Sequence, residues 1–327
     1  MKRISALELV GKNILDMDLY NADGEILYRA GTTLTPSMVM QMNYMQLFIK
    51  PETRSSKLVD DDLELVGEPE IKSIISEEIT SNLVDNTKKI LYDALDGKKP
   101  DINVCEATRD IILDEVSDKL EKAECIGQLR VFDHYTYSHT INVSSMCSAL
   151  GIMLGFGEED LKKLALGGLL HDIGKMRVSK AILNKPDKLT PEEFAEMKNH
   201  TIYGYDIIKK ELHLSEDIAR VALEHQEKYG GLGYPHGLKG KEIHLYAQVA
   251  AICDVYDALV SQRVYKKALP SHEAIKIMLS EGSRSFNPFM LYKFIYLANY
   301  KDTSNLVIPE ENEELTQEQM DSMDTTI

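Results

Sequence analysis

The sequence predicts a mainly α-helical protein whose principal domain follows a small α+β module. Beyond Cys125 the strand signals stop, and apolar helical patterns follow one another, separated by glycine and proline. Residues 1–50 instead alternate between apolar and polar side chains in a β-like way. At 327 residues the chain is long enough for one well-buried domain and a smaller one.

The N-terminal module is predicted over residues 1–58. Asp23-Gly24 separates two apolar runs, which is a hairpin signal. Thr35-Pro36 predicts the start of a short helix, and Leu47-Phe48-Ile49 predicts a closing strand. The module's sequence contains no acid–base or metal cluster, so we expect it to regulate the chain or to bind a signalling partner.

Residues 59–125 predict an acidic linker followed by connecting helices, which we expect to carry a homodimer contact. The acidic run Asp60-Asp61-Asp62 precedes apolar positions at helical spacing. The principal domain is predicted over residues 126–302, and the polar, acidic residues 303–327 predict a disordered tail.

Composition excludes several classes of function. A net charge of −16 argues against binding a nucleic-acid polymer, although it permits a small anionic ligand. No run approaches the roughly 20 apolar residues of a membrane helix, and the N-terminus lacks the features of a signal peptide. The four cysteines show no C-x-x-C spacing and indicate reduced thiols. We therefore expect a cytoplasmic protein that does not bind membranes.

Helix boundaries in the principal domain are clearest at two points. Thr190 can cap a helix and Glu193 can complete a capping box, and the helix that they begin is expected to end at His200. A second helix is predicted from Pro270 to the residue before Gly282.

Five stretches of the principal domain place a metal-competent residue on or beside an apolar helical pattern. These residues are His139, the pair His171-Asp172, His200, His225 and Asp254. A carboxylate in such a setting is costly unless it is paired or binds a metal, and imidazoles with carboxylates suit Fe, Mn or Zn. Each histidine can equally be a satisfied core residue, and Asp254 can cap a turn or pair with a cation. Spacing alone leaves both interpretations open.

Three ordered motifs resemble the HD-GYP subfamily of HD-domain phosphohydrolases. Leu170–Lys175 reads LHDIGK and is similar to the HDIGK signature, and His225–Pro235 reads HQEKYGGLGYP and resembles the segment that names the subfamily. Ala251–Leu259 reads AICDVYDAL and resembles the next block. The similarity extends from about residue 132 to residue 296.

The resemblance implies an HD-type helical bundle with a metal site. It implies one metal held by His139, His171, Asp172 and Asp254, with Asp172 bridging to a second metal held by His200 and His225. The two divalent ions are expected to be Fe or Mn, with Zn, Mg and Ni as alternatives. Asp172 is expected to be catalytic, and Lys175 matches a proton donor or phosphate-neutralising lysine; a surface salt bridge is the alternative for Lys175.

Substrate contacts are implied at two places. Gly233-Tyr234-Pro235 is expected to shape a loop beside the metals, where Tyr234 can stack on a base; a flexible connection is the alternative. The helical pattern before this loop excludes a dinucleotide fingerprint, which must follow a strand. Arg263 and Lys266 lie about one helical turn apart and match positions that contact the dinucleotide, with a solvated basic face as the alternative.

Three residues depart from the family pattern. Gln226 stands where many members have a second histidine, and its amide is a poor metal ligand, so we expect two metals to bind firmly and a third weakly or not at all. Gly230 replaces an aspartate before the Gly-rich loop, which bears on how the loop is anchored. Asn287 stands where relatives often have aspartate, and we assign it no catalytic role.

The motifs together predict a metal-dependent phosphodiesterase in bacterial second-messenger signalling. The expected reaction is hydrolysis of cyclic di-GMP to the linear dinucleotide pGpG, to GMP, or to both. One alternative is the same chemistry on another cyclic dinucleotide, such as cyclic GMP-AMP. The other is a catalytically degenerate receptor, in which Gln226 and Gly230 leave only a ligand-binding scaffold.

Overall fold

The computed structural model describes residues 2–4, 15, 17–21, 24, 26–32, 47–49, 72–123, 125–132, 135–183, 185, 187–262 and 268–299. They belong to two compact units, one containing the described residues up to 49 and the other containing residues 72–299. Within these ranges, no helix has both the length and the apolar character that crossing a membrane requires. The predicted tail 303–327 lies outside the described residues.

The smaller unit contains a four-stranded antiparallel sheet with the order β1-β4-β2-β3. Its strands are β1 (Lys2–Ile4), β2 (Leu19–Tyr20), β3 (Ile26–Tyr28) and β4 (Leu47–Ile49). The predicted hairpin is confirmed, because β2 pairs with β3 and the intervening Gly24 has a φ of 83°, a left-handed conformation that favours glycine. The closing strand is also confirmed as β4. The helix predicted from Thr35 lies outside the described residues.

The larger unit is helical, as the sequence predicts. Its helices are α1 (Glu77–Leu95), α2 (Ile102–Lys119), α3 (Tyr135–Met153), α4 (Glu158–Leu170), α5 (Lys180–Leu183), α6 (Pro191–Lys198), α7 (His200–Asp206), α8 (Glu216–Glu224), α9 (Leu245–Val260), α10 (Ser271–Glu281) and α11 (Pro288–Asn299).

The helices α3 and α4 form the centre of this unit. They pack against each other, and α9 packs on both α3 and α8. From Ser138 to Leu150 every residue of α3 is buried, so this helix has no solvent-facing side over that length. A helix that is buried on all sides requires neighbours on all sides, which α2, α4, α9 and α11 supply.

The helices α1 and α2 belong to the same unit as α3 and α4. α1 packs against α2, α3 and the short 3-10 segment Ile173–Arg177, and α2 packs against α3 and α4. Their inward faces bury Leu83, Val84, Ile112 and Val116. Because these helices fall in the stretch 59–125, the boundary at residue 126 between the connecting helices and the principal domain stays a prediction.

The predicted helix starts are confirmed. At α6 the Thr190 hydroxyl accepts a hydrogen bond from the Glu193 amide at 3.3 Å, and the Glu193 carboxylate accepts one from the Thr190 amide at 2.7 Å. This helix ends at Lys198, so the prediction that it extends to His200 was wrong. Asn199 instead separates α6 from α7, and His200 is the first residue of α7. α10 extends from Ser271 to Glu281, as predicted.

Candidate metal centre

Six side chains from five elements converge in the larger unit, and we call them the metal centre. His139 lies on α3, His171 and Asp172 follow α4, His200 begins α7, His225 follows α8, and Asp254 lies on α9. All six predicted metal ligands are therefore brought together. The four histidines are between 0% and 7% exposed, so their rings are held by packing rather than by solvent.

Asp172 lies between two groups of ligands. Its Oδ2 lies 3.4 Å from Nε2 of His171 and 3.7 Å from Nε2 of His139. Its Oδ1 faces the other way, at 3.5 Å from Nε2 of His200 and 3.6 Å from Nε2 of His225. One carboxylate thus presents one oxygen to each pair of imidazoles, which is the arrangement expected of a bridging ligand.

The tight placement of Asp172 beside His200 depends on Gly174. A Cβ added at Gly174 would lie 1.9 Å from the carbonyl oxygen of His200 and 2.4 Å from the amide nitrogen of Gly204. These are backbone atoms, so no side chain at residue 174 can be accommodated without moving α7. The glycine of the HDIGK motif therefore allows the segment after α4 to approach the start of α7.

Each imidazole of the metal centre is oriented through its other nitrogen. Nδ1 of His171 lies 2.8 Å from the Gly168 carbonyl, Nδ1 of His200 lies 2.7 Å from the Met197 carbonyl, and Nδ1 of His225 lies 3.0 Å from the Ala222 carbonyl. Nδ1 of His139 lies 2.8 Å from the Asp257 carboxylate. A carbonyl or carboxylate acceptor keeps the proton on Nδ1 and leaves the Nε2 lone pair directed into the centre.

Two buried polar atoms of the centre have no hydrogen-bond partner among the described residues. They are Nε2 of His171 and Oδ1 of Asp172. An unsatisfied buried polar atom costs roughly 1–3 kcal/mol, and a bound cation would remove that cost. Potential ligand atoms of His139, His171 and Asp254 all lie within 4.8 Å of one another, as do those of His171, Asp172 and His225. Imidazoles with carboxylates form a donor set suited to divalent transition metals, so these residues fit a metal centre.

The charges of the centre act in two directions. Burial lowers the pKa of His139, but hydrogen bonds with Asp172, Asp254 and Asp257 raise it well above its usual value, so a cation bound at His139 would displace a proton. Burial alone would raise the pKa of Asp172, but the charge of Lys175 and a hydrogen bond with His139 hold this pKa well below its usual range. Burial also opposes ionisation of Asp254, and the hydrogen bond with His139 again keeps the pKa well below normal. Burial lowers the pKa of His200 to about 4, so this imidazole is neutral at neutral pH.

Asp257 is a supporting residue that the sequence analysis missed. It is fully buried, and its Oδ2 accepts hydrogen bonds from Nδ1 of His139 at 2.8 Å and from the Ser261 hydroxyl at 3.0 Å. Its Oδ1 accepts from Nε of Arg130 at 3.0 Å and from Nδ2 of Asn142 at 3.2 Å. The sequence does contain an indication of this role. Asp257 follows the predicted ligand Asp254 by three residues on one helix, and that spacing puts both carboxylates on one face.

Glu227 anchors the Gly-rich loop, residues 230–237. One oxygen of the buried Glu227 carboxylate accepts from the backbone amides of His236 at 2.7 Å and Gly237 at 3.0 Å. The other accepts from the amide of Leu238 at 3.1 Å. These three backbone donors fix the C-terminal end of the loop. Glu227 is therefore the anchor that the sequence analysis could not identify.

Close backbone contacts explain two glycines of the same loop. A Cβ at Gly230 would lie 2.9 Å from the Arg284 carbonyl oxygen, to which the Gly230 amide donates at 3.0 Å. A Cβ at Gly233 would lie 2.3 Å from Cα of Glu227. An aspartate at residue 230, which the family pattern leads one to expect, would therefore require the segment around Arg284 to move.

Tyr234 borders the metal centre. Its ring centroid lies 6.3 Å from that of His200, and burial together with the charges of Asp172 and Asp254 raises the pKa of its hydroxyl. Gln226 comes near the start of the same motif, and its Nε2 donates a hydrogen bond to Oδ2 of Asp254 at 3.0 Å.

The remaining predicted residues divide into three cases. Lys175 donates a hydrogen bond to Oδ2 of Asp172, and its side chain is 34% exposed, so it reaches from the centre towards solvent. Asn287 accepts from the backbone amides of Phe289 and Met290 at the start of α11, which is a structural cap. Arg263 and Lys266 lie outside the described residues.

Known proteins resemble this chain in sequence. The HD domain family model matches residues 109–288. A cyclic di-GMP phosphodiesterase of Pseudomonas aeruginosa is 40% identical over 168 residues, which are 51% of this chain and 40% of that protein. A cyclic di-GMP phosphodiesterase of Thermotoga maritima is 34% identical over 62% of this chain and 56% of its own length. A 3'3'-cGAMP-specific phosphodiesterase of Vibrio cholerae is 38% identical over 47% of this chain and 33% of its own length.

A solved structure shares the fold. The HDG"Y"P protein Bd1817 from Bdellovibrio bacteriovorus superposes with a TM-score of 0.53 at 18% identity, covering 90% of this chain and 97% of that chain. The chain spans between a third and somewhat over half of the length of the three relatives above. The resemblance carried by the motifs is confirmed by these matches, and the chain belongs to the HD domain family.

Proposed function

We propose that this chain is a metal-dependent phosphodiesterase that hydrolyses a cyclic dinucleotide, in the first place cyclic di-GMP. The observation that carries the proposal is the position of Asp172, whose two oxygens each face a pair of imidazoles at 3.4–3.7 Å. The printed names of the relatives support the substrate class, and they include enzymes for cyclic di-GMP and for cyclic GMP-AMP.

The proposed centre holds two divalent ions, Fe or Mn. His139, His171, Asp172 and Asp254 are the proposed ligands of one, and Asp172, His200 and His225 are the proposed ligands of the other. When bound, the two cations supply the charge that activates a water molecule and stabilises an in-line displacement at the phosphodiester.

The chain's own residues position and neutralise the reactants. Asp172 stays ionised because the charge of Lys175 lowers its pKa against the effect of burial, so it can bridge the two sites as a carboxylate. Lys175, in contact with Asp172 and partly exposed, is suited to neutralise a phosphate oxygen or to protonate the leaving oxygen. Hydrogen bonds from Nδ1 to carbonyl or carboxylate oxygens orient the buried imidazoles before a substrate binds.

Substrate contacts are proposed on the loop side of the centre. Gly233 and Pro235 flank Tyr234, whose ring lies next to His200, and we assign the three to the substrate surface. Arg263 and Lys266 stay predicted phosphate contacts. A homodimer through the connecting helices, a signalling partner for the N-terminal module and a cytoplasmic location also stay predictions.

Replacement of the bridging ligand tests the proposal. Asp172→Ala should abolish hydrolysis and lower bound metal while the chain stays folded. The control is Asp118→Ala, since Asp118 is exposed and pairs only with Lys122 among the described residues. Turnover should be measured on cyclic di-GMP, cyclic GMP-AMP and a third cyclic dinucleotide, with elemental analysis of each preparation. Near-normal turnover by Asp172→Ala would refute the two-metal proposal, and binding without turnover by the wild-type chain would favour a receptor.

A further inference from the structure

Phe194 and Lys198 lie one helical turn apart on α6, next to the Gly-rich loop. The Phe194 ring packs nearly perpendicular to the Tyr234 ring, with centroids 6.4 Å apart. The Lys198 ammonium lies 5.3 Å from the centroid of Phe194 and 5.9 Å from that of Tyr234. This face of α6 therefore carries an aromatic ring and a cation, both in contact with a residue that borders the metal centre.

A continuous series of rings connects this face to the metal centre. His225 packs against His200 with centroids 5.4 Å apart, His200 against Tyr234 at 6.3 Å, and Tyr234 against Phe194 at 6.4 Å. Phe194 is thus two ring contacts from a proposed metal ligand. A cyclic dinucleotide carries its two bases outside the ring that contains its phosphates, so one base can reach beyond the centre while a phosphate lies at the metals.

The exposure of Phe194 distinguishes it from Tyr234. Phe194 is 48% exposed, whereas Tyr234 is half-buried and lies against His200, Phe194 and the Lys198 ammonium. Singly exposed apolar side chains are common on protein surfaces and need no function. This one, however, ends a series of rings that begins at the metal centre, and it shares its helix face with a cation.

The Lys198 ammonium is also available to an anion. No carboxylate of the described residues forms an ion pair with Lys198, whose ammonium instead lies over the two rings. Cation–π contacts at exposed sites are weak, so they do not prevent the side chain from turning to a phosphate. An ammonium beside an aromatic platform offers the two chemistries that a nucleotide presents, a π-face and a phosphate.

We propose that Phe194 stacks on one base of the cyclic dinucleotide and that Lys198 binds the phosphate that is not being cleaved. The inference rests on the proposed phosphodiesterase function and identifies a substrate subsite on α6. Stacking is indifferent to the hydrogen-bonding edge of a base, so the subsite adds affinity for purine dinucleotides in general and does not choose among them.

Steady-state kinetics on cyclic di-GMP test the subsite. Phe194→Ala should raise KM about 10-fold, since it removes the aromatic face on which the base stacks, with kcat and metal content close to wild type. Phe194→Trp should restore KM because it keeps an aromatic face. Lys198→Met, which keeps the aliphatic stem, should raise KM, and Lys198→Arg should restore it. Inorganic phosphate, which has no base, should inhibit Phe194→Ala and wild type equally.

The matched control is Phe289→Ala. Phe289 is 38% exposed, and the ammonium of Lys293 lies 5.4 Å from its ring centroid. Both residues lie on α11 and neither belongs to the series of rings that begins at the metal centre. Replacement of Phe289 should therefore leave KM unchanged. The inference is overturned if Phe194→Ala keeps a KM within twofold of wild type, or if inhibition by inorganic phosphate weakens in parallel with KM.

Failure of the activity and failure of the subsite give different results. If the wild-type chain binds cyclic di-GMP without cleaving it, the phosphodiesterase proposal fails, and dissociation constants from calorimetry on the same variants then decide the role of Phe194. A larger dissociation constant for Phe194→Ala supports the subsite, and an equal one overturns it. If the wild-type chain neither binds nor cleaves a cyclic dinucleotide, both proposals fail.

Discussion

Gln226 donates a hydrogen bond from Nε2 to Oδ2 of Asp254 across 3.0 Å. The other oxygen of that carboxylate, Oδ1, lies 3.3 Å from Nε2 of His139. This contact uses the amide nitrogen as a donor, and the amide oxygen that remains binds a transition metal more weakly than an imidazole does. We therefore expect Gln226 to orient a ligand of the first metal and not to bind a third metal.

The first prediction concerns metal content at this position. The wild-type chain should hold two metals firmly, and the linear dinucleotide should accumulate early because fewer cations are present to reposition it for a second cleavage. Gln226→His adds an imidazole beside Asp254 and should increase metal content or speed conversion to the mononucleotide. Elemental analysis and product chromatography are the measurements. Three metals per wild-type chain, with mononucleotide appearing without a lag, would contradict the prediction.

Gln226→Met is the control for the hydrogen bond itself. Methionine has a similar length but no donor, so Asp254 loses its orienting partner, and the soft thioether is a poor ligand for Fe or Mn. Loss of such a supporting contact typically weakens metal binding 10–100-fold, and we expect about 10-fold here in competition against a chelator. If Gln226→Met binds metal as tightly as wild type, the contact with Asp254 has no role in the site.

The second prediction concerns Asp257. Its carboxylate accepts a hydrogen bond from His139. Burial raises the pKa of Asp257, but this hydrogen bond and the charge of Arg130 lower it further, so the pKa is below its usual value and Asp257 stays ionised. Asp257→Asn keeps the shape but removes the charge, and it should weaken metal binding about 10-fold or more. Metal affinity by chelator competition is the measurement, with Asp118→Asn as the exposed control.

A purely structural role for Asp257 would give a different result. The buried Arg130 guanidinium also pairs with this carboxylate, and leaving a buried charge without its partner costs roughly 3–5 kcal/mol. Asp257→Asn should therefore also lower the melting temperature. If stability falls while the affinity for metal stays at the wild-type value, Asp257 supports the fold and does not position His139.

The third prediction concerns Gly233 in the Gly-rich loop. A Cβ at this position would lie 2.3 Å from Cα of Glu227 and from the amide nitrogen of Lys228, and neither backbone atom can turn aside. Gly233→Ala should displace the loop with Tyr234, raise KM about 10-fold and cost roughly 1–3 kcal/mol of stability. Kinetics and urea unfolding measure the two effects. Gly157→Ala is the control, because a Cβ at Gly157 meets no atom of the described part of the chain within 4 Å. Equal effects of the two changes would refute the steric argument.

The helices and the candidate ligands were accessible to sequence reasoning for identifiable reasons. A helix cap such as Thr190 is a local interaction, and a ligand such as Asp254 is conspicuous because a carboxylate is costly in an apolar run. The grouping of the ligands around two metals came from the resemblance of the motifs to a known family, because sequence spacing alone does not show which residues meet in space.

What the sequence did not predict depends on contacts between distant residues. Arg130 and Asp257 are 127 positions apart, and Glu227 binds amides that belong to a loop whose path no local pattern reveals. The end of α6 at Lys198 was missed because the apolar pattern continues through Asn199 into α7. Such features follow from packing, which periodicity does not encode.

The fourth prediction concerns the part of the chain that the centre requires. α1 packs against the 3-10 segment that carries Lys175, and α1 and α2 bury Leu83, Val84, Ile112 and Val116 at 0–2% exposure. Burying a side chain of this size is worth roughly 1.5–3 kcal/mol, so these four contribute about 6–12 kcal/mol. The net stability of a whole domain is only about 5–15 kcal/mol. A chain that begins at residue 126 should therefore fail to fold or should lose its metal.

A chain that begins at residue 72 should behave differently, since it keeps α1 and α2 and lacks only the N-terminal module and the acidic stretch. We expect it to bind metal and to hydrolyse the substrate at a rate within severalfold of the full chain, because all six residues of the metal centre lie beyond residue 72. Circular dichroism, elemental analysis and turnover on both truncated chains are the measurements. A folded, metal-loaded chain from residue 126 would show that α1 and α2 are dispensable connecting helices. Loss of metal from a folded chain that begins at residue 72 would show instead that the N-terminal module completes the centre.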